Sequence, residues 1–430
     1  MIKIALHSLG CKVNAYETEQ MENSLEKAGY EIVSFRDMAD IYIINTCSVT
    51  NIADRKSRQM LHRAKSLNPS SIVVAAGCYA NTRDRSEILS DNVDLIVLNE
   101  EKKEIVNIID EYCRSHNIVS SIPDKPDDFV FQSDNLHTRV FFKVQDGCNQ
   151  FCSYCIIPYA RGRIKSRPIK ELLPGIRSFA DKGYSEFVLT GIHLSSYGKD
   201  RPDDGEDLIS LIEAVAEIPG VKRLRLSSLE PRIITPDFVS RLTSIKEFCP
   251  QFHLSLQSGS DSVLKRMNRH YTTDEYFAGV ELLRSSFDHP AITTDVIVGF
   301  PGESEEEFGE TVRFLEKVNF YETHVFKYSR RAGTVADKMD DQLTDSLKSS
   351  REKVLLNMTA ERKKAFADYY LNSAPVEVLI EDNNEGYTRE YVRVRALGDF
   401  APGTILTGHI TARINDDIME FTPNVSGGQL

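Results

Sequence analysis

Residues 147–155, Gly147-Cys148-Asn149-Gln150-Phe151-Cys152-Ser153-Tyr154-Cys155, set three thiols in a C-x3-C-x2-C spacing directly after an apolar run at 139–144. Thiols this close can converge on one centre. The run therefore predicts a strand that delivers metal ligands at its end. That arrangement suits parallel α/β architectures, where ligands gather at the carboxyl ends of strands.

The rest of the chain carries the same pattern. Apolar runs at 139–144, 186–189, 223–226, 253–256, 292–298 and 324–328 are separated by helical stretches, which predicts a parallel barrel, whole or partial. Earlier runs at 2–6, 41–44, 72–76 and 95–98 read as buried parallel strands, and 17–28 as an amphipathic helix. Pro123 and Pro126 among Asp, Ser and Asn make 120–135 a linker composition. Residues 342–370 read as a long charged helix with Leu343, Leu347, Leu355 and Met358 on one stripe. From 376 on, period-two alternation broken by Gly and Asn predicts a small antiparallel β module. The expected fold class is α/β, divided into an open parallel sheet at 1–120, a linker at 121–136, a barrel with its linking helix at 137–372 and the β module at 373–430.

Composition narrows the classes. The 430 residues hold 52 Lys+Arg against 64 Asp+Glu, a net charge of −12, which argues against a uniformly basic nucleic-acid binder but not against a local basic stripe. No run approaches the ~20 apolar residues of a membrane helix, and the first ten residues lack a signal-peptide pattern, so the expected compartment is the cytoplasm. Eight cysteines in a reducing compartment point to metal, redox chemistry or burial rather than a disulfide framework.

Three further cysteines, Cys11, Cys47 and Cys78, each follow an apolar run, in Leu9-Gly10-Cys11, Asn45-Thr46-Cys47 and Ala76-Gly77-Cys78. In an open parallel sheet these positions share one edge, where they can hold a second cluster or simply be buried thiols. Gly10 and Gly77 would let the backbone approach closely. For Cys148, Cys152 and Cys155, zinc is the alternative to an iron–sulfur cluster; it commonly takes four ligands, and no fourth His or Cys lies close downstream. Cys113 and Cys249 have no partner pattern and read as structural.

The cysteine loop after the first barrel strand resembles the radical S-adenosylmethionine (SAM) superfamily. Together with the N-terminal cysteines and the β module, the whole chain is similar to the methylthiotransferases. The strings His7-Ser8-Leu9-Gly10-Cys11-Lys12-Val13-Asn14, Asn45-Thr46-Cys47-Ser48-Val49-Thr50 with Ala53-Asp54-Arg55-Lys56, Gly77-Cys78-Tyr79 and Cys155-Ile156-Ile157-Pro158-Tyr159-Ala160-Arg161-Gly162 look most like the branch acting on N6-threonylcarbamoyladenosine in tRNA. Two sister branches usually carry Gln-Met or Pro-Lys where Lys12-Val13 stand. Ser8 and Ile164-Lys165 depart from the branch pattern without touching a cysteine.

The resemblance implies two [4Fe-4S] clusters. Cys148, Cys152 and Cys155 would hold the one whose open iron chelates SAM, and one electron would cleave SAM to a 5'-deoxyadenosyl radical. Cys11, Cys47 and Cys78 would hold the auxiliary cluster that carries the sulfur. The radical would take the hydrogen from carbon 2 of the adenine, where the methylthio group is then joined. SAM contacts are expected at Tyr154, Thr190, Gly191, Ser227, Ser228, Glu230, Gln257 and Asp295, at or near strand ends. The resemblance also implies a barrel of the partial (β/α)6 kind, a C-terminal domain like the RNA-binding TRAM module, the tRNA anticodon loop as partner, and an electron donor such as a flavodoxin or ferredoxin. No membrane partner and no zinc are expected.

For RNA the candidates are Arg161, Arg163, Lys165 and Arg167 after the cysteine loop, Arg331, and Tyr387, Tyr391 and Arg393 in the β module, which could use stacking although the module holds more acidic than basic residues. Basic groups at Arg55, Lys56, Arg58, Arg63 and Lys65 read as a solvated helix face when taken alone. Ser304-Glu305-Glu306-Glu307 reads as a helix capping box, and His193 and His253 as packed or hydrogen-bonded side chains rather than ligands. Two further readings stay open: the same chemistry on isopentenyladenosine in tRNA or on a ribosomal-protein aspartate, and a zinc-binding RNA adaptor without catalysis.

Overall fold

The computed structural model describes residues 2–116 and 138–424, so the stretch read as a linker at 121–136 lies outside the described residues. The chain divides into two compact units. One comprises Met1–Leu136, Asp146–Lys165 and Ser329–Lys338; the other comprises His137–Gln145, Ser166–Tyr328 and Met339–Leu430.

In the first unit β1 (Lys3–Ser8), β2 (Glu31–Val33), β3 (Ile41–Thr46), β4 (Ile72–Gly77) and β5 (Leu95–Val97) form a parallel sheet in the order β2-β1-β3-β4-β5. Alternate residues feed two cores: Ile4, Leu6, Ile41, Ile43 and Val74 on one face, Ala5, Tyr42, Ile44, Val73 and Ala75 on the other. Strands covered on both faces need apolar side chains at nearly every position, which is why these segments read as continuous runs. The short β2, half-buried throughout, carries no such run and was not expected from the sequence. The helix Lys12–Lys27 starts earlier than the expected 17–28 stretch because its first turns bury polar residues, Asn14 and Glu17, that hide the apolar period. The strand order reverses between β1 and β3, and such a switch opens a crevice at the carboxyl ends of those strands.

In the second unit β6 (Arg139–Asp146), β7 (Lys165–Ser166), β8 (Glu186–Gly191) and β9 (Arg223–Leu226) form one sheet in the order β7-β6-β8-β9, and β10 (Gln251–His253), β11 (Ala291–Val298) and β12 (Glu322–Lys327) form another. Parallel bridges Leu224↔Phe248 and Leu229↔Leu254 carry the pairing from one to the other, so β6 and β8 to β12 make the expected run of six parallel strands. The fourth strand lies two residues earlier than its apolar run. Ser304 caps the helix Glu305–Val318 in a full capping box with Glu307, as the sequence predicts. The long helix spans Asp345–Asp368, and its Arg351 pairs with the buried Glu303 (2.6 Å), whose carboxylate also accepts the Gly299 N–H (2.7 Å). The Gly-Phe-Pro-Gly-Glu turn after β11 is thereby fixed.

The C-terminal module is a closed barrel of β13 (Val376–Ile380), β14 (Glu385–Thr388), β15 (Arg393–Ala396), β17 (Met419–Pro423) and β16 (Ile405–Arg413); β15 and β17 pair in parallel and the other pairs are antiparallel. Its β14–β15 turn seals the N-terminal end of the SAM-type barrel. Arg139, Glu186 and Arg223 open β6, β8 and β9, and Glu186 is paired to Arg139 (2.8 Å), Arg223 (2.7 Å) and Arg225 (3.0 Å). The arginines then donate to the turn: Arg223 to the Tyr387 and Thr388 carbonyls, and Arg225 to those of Thr388 (2.8 Å) and Arg389 (2.7 Å). Burial opposes ionisation of Glu186, but Arg225, Arg223 and Arg139 outweigh it and hold the carboxyl at about 2.

Candidate metal and cofactor centre

The first triplet sits at the strand-order switch. Register pairs Ser8 with Asn45, and Asn45 and Thr46 with Ala76 and Gly77, so Cys11, Cys47 and Cys78 leave neighbouring strands at the same edge. The approach is close: a Cβ on Gly10 would stand 2.7 Å from both Cβ and Sγ of Cys47, and one on Gly77 would stand 2.4 Å from the Thr46 carbonyl oxygen, with φ at +98° and +92°. No L side chain fits either position. Asn14 donates to the carbonyls of Leu9 (2.7 Å) and Thr46 (3.0 Å), tying the loops of Cys11 and Cys47 together. Ser57 brackets the Cys47 peptide, accepting from its N–H (3.2 Å) and donating to its carbonyl (3.0 Å). Burial pushes the Cys47 thiol up to about 11.

The second triplet belongs to the same compact unit. Its loop turns on Phe151, a non-glycine residue at φ +49°, whose ring lies against Tyr159 and under the Arg163 guanidinium (4.5 Å). A bulky residue in that region marks strain that its surroundings hold in place. The Gln150 N–H points at Cys148 Sγ (3.4 Å), and the Cys155 N–H donates to the Cys152 carbonyl (2.9 Å), closing the turn around Tyr154. The helix Cys78–Thr82 packs against the helix Ile157–Arg161, so the segments that follow the two triplets meet.

Arg161 ties them further. Its wholly buried guanidinium donates to Glu17 (2.8 Å), to Asp146 (3.2 Å) and to Asn14 (2.5 Å), and Glu17 also accepts from Lys102 (2.6 Å). Burial alone would lower the arginine, yet Glu17, Cys78 and Asp146 hold it well above its ordinary value. Arg331 is likewise internal: it donates to Asp54 (2.8 Å), Ser48 (2.7 Å) and Asn51 (2.8 Å) next to Cys47. Both arginines, expected as RNA contacts, are spent inside the protein, and Asn14, Glu17, Asp54 and Ser57, which no spacing rule flags, are what they and the cysteine loops rest on. Arg163 and Lys165 are exposed, while Arg167 donates to the Lys143 carbonyl (3.3 Å).

Tyr387 and Tyr391 are occupied too. Their rings stack on each other (4.4 Å between centroids), Arg139 covers both, and Arg225 covers Tyr391. Tyr391 adopts φ +72° and accepts a hydrogen bond from Arg139 (2.6 Å), so it serves the seal of the barrel rather than a free stacking platform. Arg393 is exposed and paired with Glu385.

The barrel-strand candidates lie in the second unit. Thr190 and Gly191 end β8, and Ser227, Ser228 and Glu230 follow β9. Glu230 pairs with Arg232 (2.7 Å). Gln257 holds φ +73° while its backbone bridges β11, donating to the Asp295 carbonyl (2.8 Å). The Ser227 hydroxyl and His193 Nε2 are buried with no hydrogen-bond partner among the described residues, as donors and acceptors meant for a ligand would be. Burial pushes His193 down to about 4, which keeps it neutral. Asp295 instead turns to His253, 3.3 Å away.

A parallel barrel that begins with a C-x3-C-x2-C loop defines a radical SAM enzyme. Comparison with known proteins agrees: the Radical SAM superfamily matches residues 142–315, and Uncharacterized protein family UPF0004 matches residues 3–98. The chain is 39% identical to the threonylcarbamoyladenosine tRNA methylthiotransferase MtaB of Bacillus subtilis over 92% of this chain and 90% of that protein. It is 38% identical to that of Aquifex aeolicus over 92% and 97%. A tRNA-2-methylthio-N(6)-dimethylallyladenosine synthase of Thermoanaerobacter sp. is 33% identical over 87% and 81%. Among solved structures, the radical SAM methyltransferase TsrM from Kitasatospora setae, with cobalamin and a [4Fe-4S] cluster bound, superposes with a TM-score of 0.57 over 78% of this chain and 76% of that one, at 14% identity, a likeness of fold alone. The chain belongs to the radical SAM methylthiotransferase family. Enzymes of this family work with SAM and [4Fe-4S] clusters. Among the described residues no helix is long and apolar enough to cross a membrane.

Proposed function

We propose that this chain adds a methylthio group to carbon 2 of N6-threonylcarbamoyladenosine beside the anticodon of tRNA. The observation that carries the reading is the gathering of both cysteine triplets into one compact unit. The donor sets fit: soft thiolates suit iron–sulfur clusters, and three of them leave one iron of a cubane open to another ligand. Cys148, Cys152 and Cys155 would hold the SAM-binding cluster, and Cys11, Cys47 and Cys78 the auxiliary one. When bound, the clusters would supply the electron for SAM cleavage and the sulfur to be transferred, and a second SAM would supply the methyl.

The chain's own residues position and tune. The Gln150 N–H is directed at Cys148 Sγ (3.4 Å), where it would hydrogen-bond the cluster-bound sulfur. Tyr154, Thr190, Gly191, Ser227, Ser228, Glu230 and Gln257 are proposed to orient SAM, a reading supported by the unpartnered Ser227 hydroxyl. Exposed Arg163 and Lys165 are proposed to meet tRNA phosphates. The reading includes the domain borders 1–120, 137–372 and 373–430, work in the cytoplasm, and electrons from a flavodoxin or ferredoxin.

Nucleoside mass spectrometry of tRNA from a deletion strain tests the substrate. Loss of methylthiolated threonylcarbamoyladenosine, restored by the gene, is expected. Loss of methylthiolated isopentenyladenosine instead would transfer the reading to the sister substrate, whose relatives include proteins 32–33% identical.

A further inference from the structure

We infer that His253, Asp295 and His324 form a site for one divalent transition-metal ion of the zinc or iron(II) class, apart from both cysteine triplets. The three side chains come from β10, β11 and β12, and their ligating atoms all lie within 4.8 Å of one another. They share a face by register: Asp295 is paired directly with His324, and His253 with Thr293, two residues before Asp295. That face is the interior of the barrel. The neighbouring Thr294 points the other way, donating to the Leu254 carbonyl (2.5 Å) beneath Tyr276 of the helix Thr273–Ser286.

Hydrogen bonding sets the histidine for coordination. The Thr293 hydroxyl donates to the Phe252 carbonyl (3.4 Å), which leaves its oxygen to accept the Nδ1 proton of His253 (3.0 Å). Nε2 is then the unprotonated nitrogen, and it faces the Asp295 carboxylate at 3.3 Å. In that tautomer two lone-pair donors face each other and a metal ion would bridge them, whereas in the other Nε2–H donates to the carboxylate as a simple hydrogen bond. The stacked ring of His324, 5.6 Å from that of His253, brings a third donor to the same point, which a proton does not need and a metal does. Two imidazoles and a carboxylate with coordination positions left over are the ligand set of zinc and non-haem iron(II) sites, and a hydroxyl fixing the far ring nitrogen is the support such ligands use.

Zinc titration of the cluster-loaded enzyme, followed by calorimetry and zinc-edge X-ray absorption, tests the site. One equivalent should bind with a nitrogen and oxygen shell that includes imidazole scattering. His324→Gln and Asp295→Asn should each weaken binding more than about tenfold, and Thr293→Val about ten- to a hundredfold. Thermal unfolding of His324→Gln without zinc separates lost coordination from lost folding. A sulfur-dominated shell, no saturable binding, or equal binding in the wild type and a folded His324→Gln would each overturn the site and leave a plain His253–Asp295 contact.

Discussion

Arg161 and Glu17 are 144 residues apart in sequence and joined by a 2.8 Å hydrogen bond between Nη1 and Oε1. The pair fastens the segment following one cysteine triplet to the helix following the first cysteine of the other. Arg161→Ala would remove the guanidinium that Glu17, Asp146 and Asn14 accept from. Breaking a buried pair from one side costs about 3–5 kcal/mol. Denaturant unfolding of the cluster-loaded protein should register a loss of that size, with iron per chain falling from the about eight that two cubanes require. Unchanged stability and iron content would mean that the pair does not support the centre.

The two triplets should fail differently. Cys152→Ala is expected to abolish reductive SAM cleavage, whereas Cys47→Ala should keep measurable 5'-deoxyadenosine release and lose methylthiolation. Product chromatography reads both. The same defect in both variants would argue for one shared centre.

The exposed basic residues proposed to meet tRNA and the buried arginines should separate in a binding and stability comparison. Lys165→Ala should weaken tRNA binding while leaving unfolding unchanged. Arg163→Ala, which also uncovers the Phe151 ring, should lower both tRNA affinity and stability. Removing one phosphate-neutralising cation should reduce the slope of log affinity against log salt by about 1. Tyr391→Ala should do the reverse. It removes a ring stacked on Tyr387 and clasped by Arg139 and Arg225, so lower stability is expected, with tRNA affinity of the remaining folded protein little changed. Filter binding at several salt concentrations, paired with thermal unfolding, decides between the roles.

What could be read from sequence follows from the range of the interactions. Both triplets, the six barrel runs and the capping box of Ser304 were legible because each depends on a spacing of a few residues or on local apolar period. The partners of Arg161, Arg331, Tyr387 and Tyr391 were not. Each has partners more than a hundred positions away, and an arginine looks the same in a sequence whether it faces phosphate or a buried carboxylate. The same holds for His253: its place at the start of an apolar run was visible, but its convergence with Asp295 and His324 depends on the register of three strands.

Acid should act on the barrel seal through Glu186. Its carboxyl stands at about 2 in the folded protein against an ordinary 4.5, because the three arginines outweigh the cost of burial. A depressed carboxyl contributes stability that is fully present above the unfolded value, near 4.5, and is lost as pH falls toward 2. The shift corresponds to roughly 3 kcal/mol. Glu186→Gln removes this term and leaves Arg139, Arg223 and Arg225 without their central anion, so the variant should be less stable than the wild type at pH 7. The gap between the two should narrow as pH falls below about 4.5. Urea unfolding at pH 7, 5 and 4 supplies the comparison. A gap that stays constant with pH would show that the carboxylate's charge does not secure the β14–β15 turn, and that the arginine-to-carbonyl hydrogen bonds suffice.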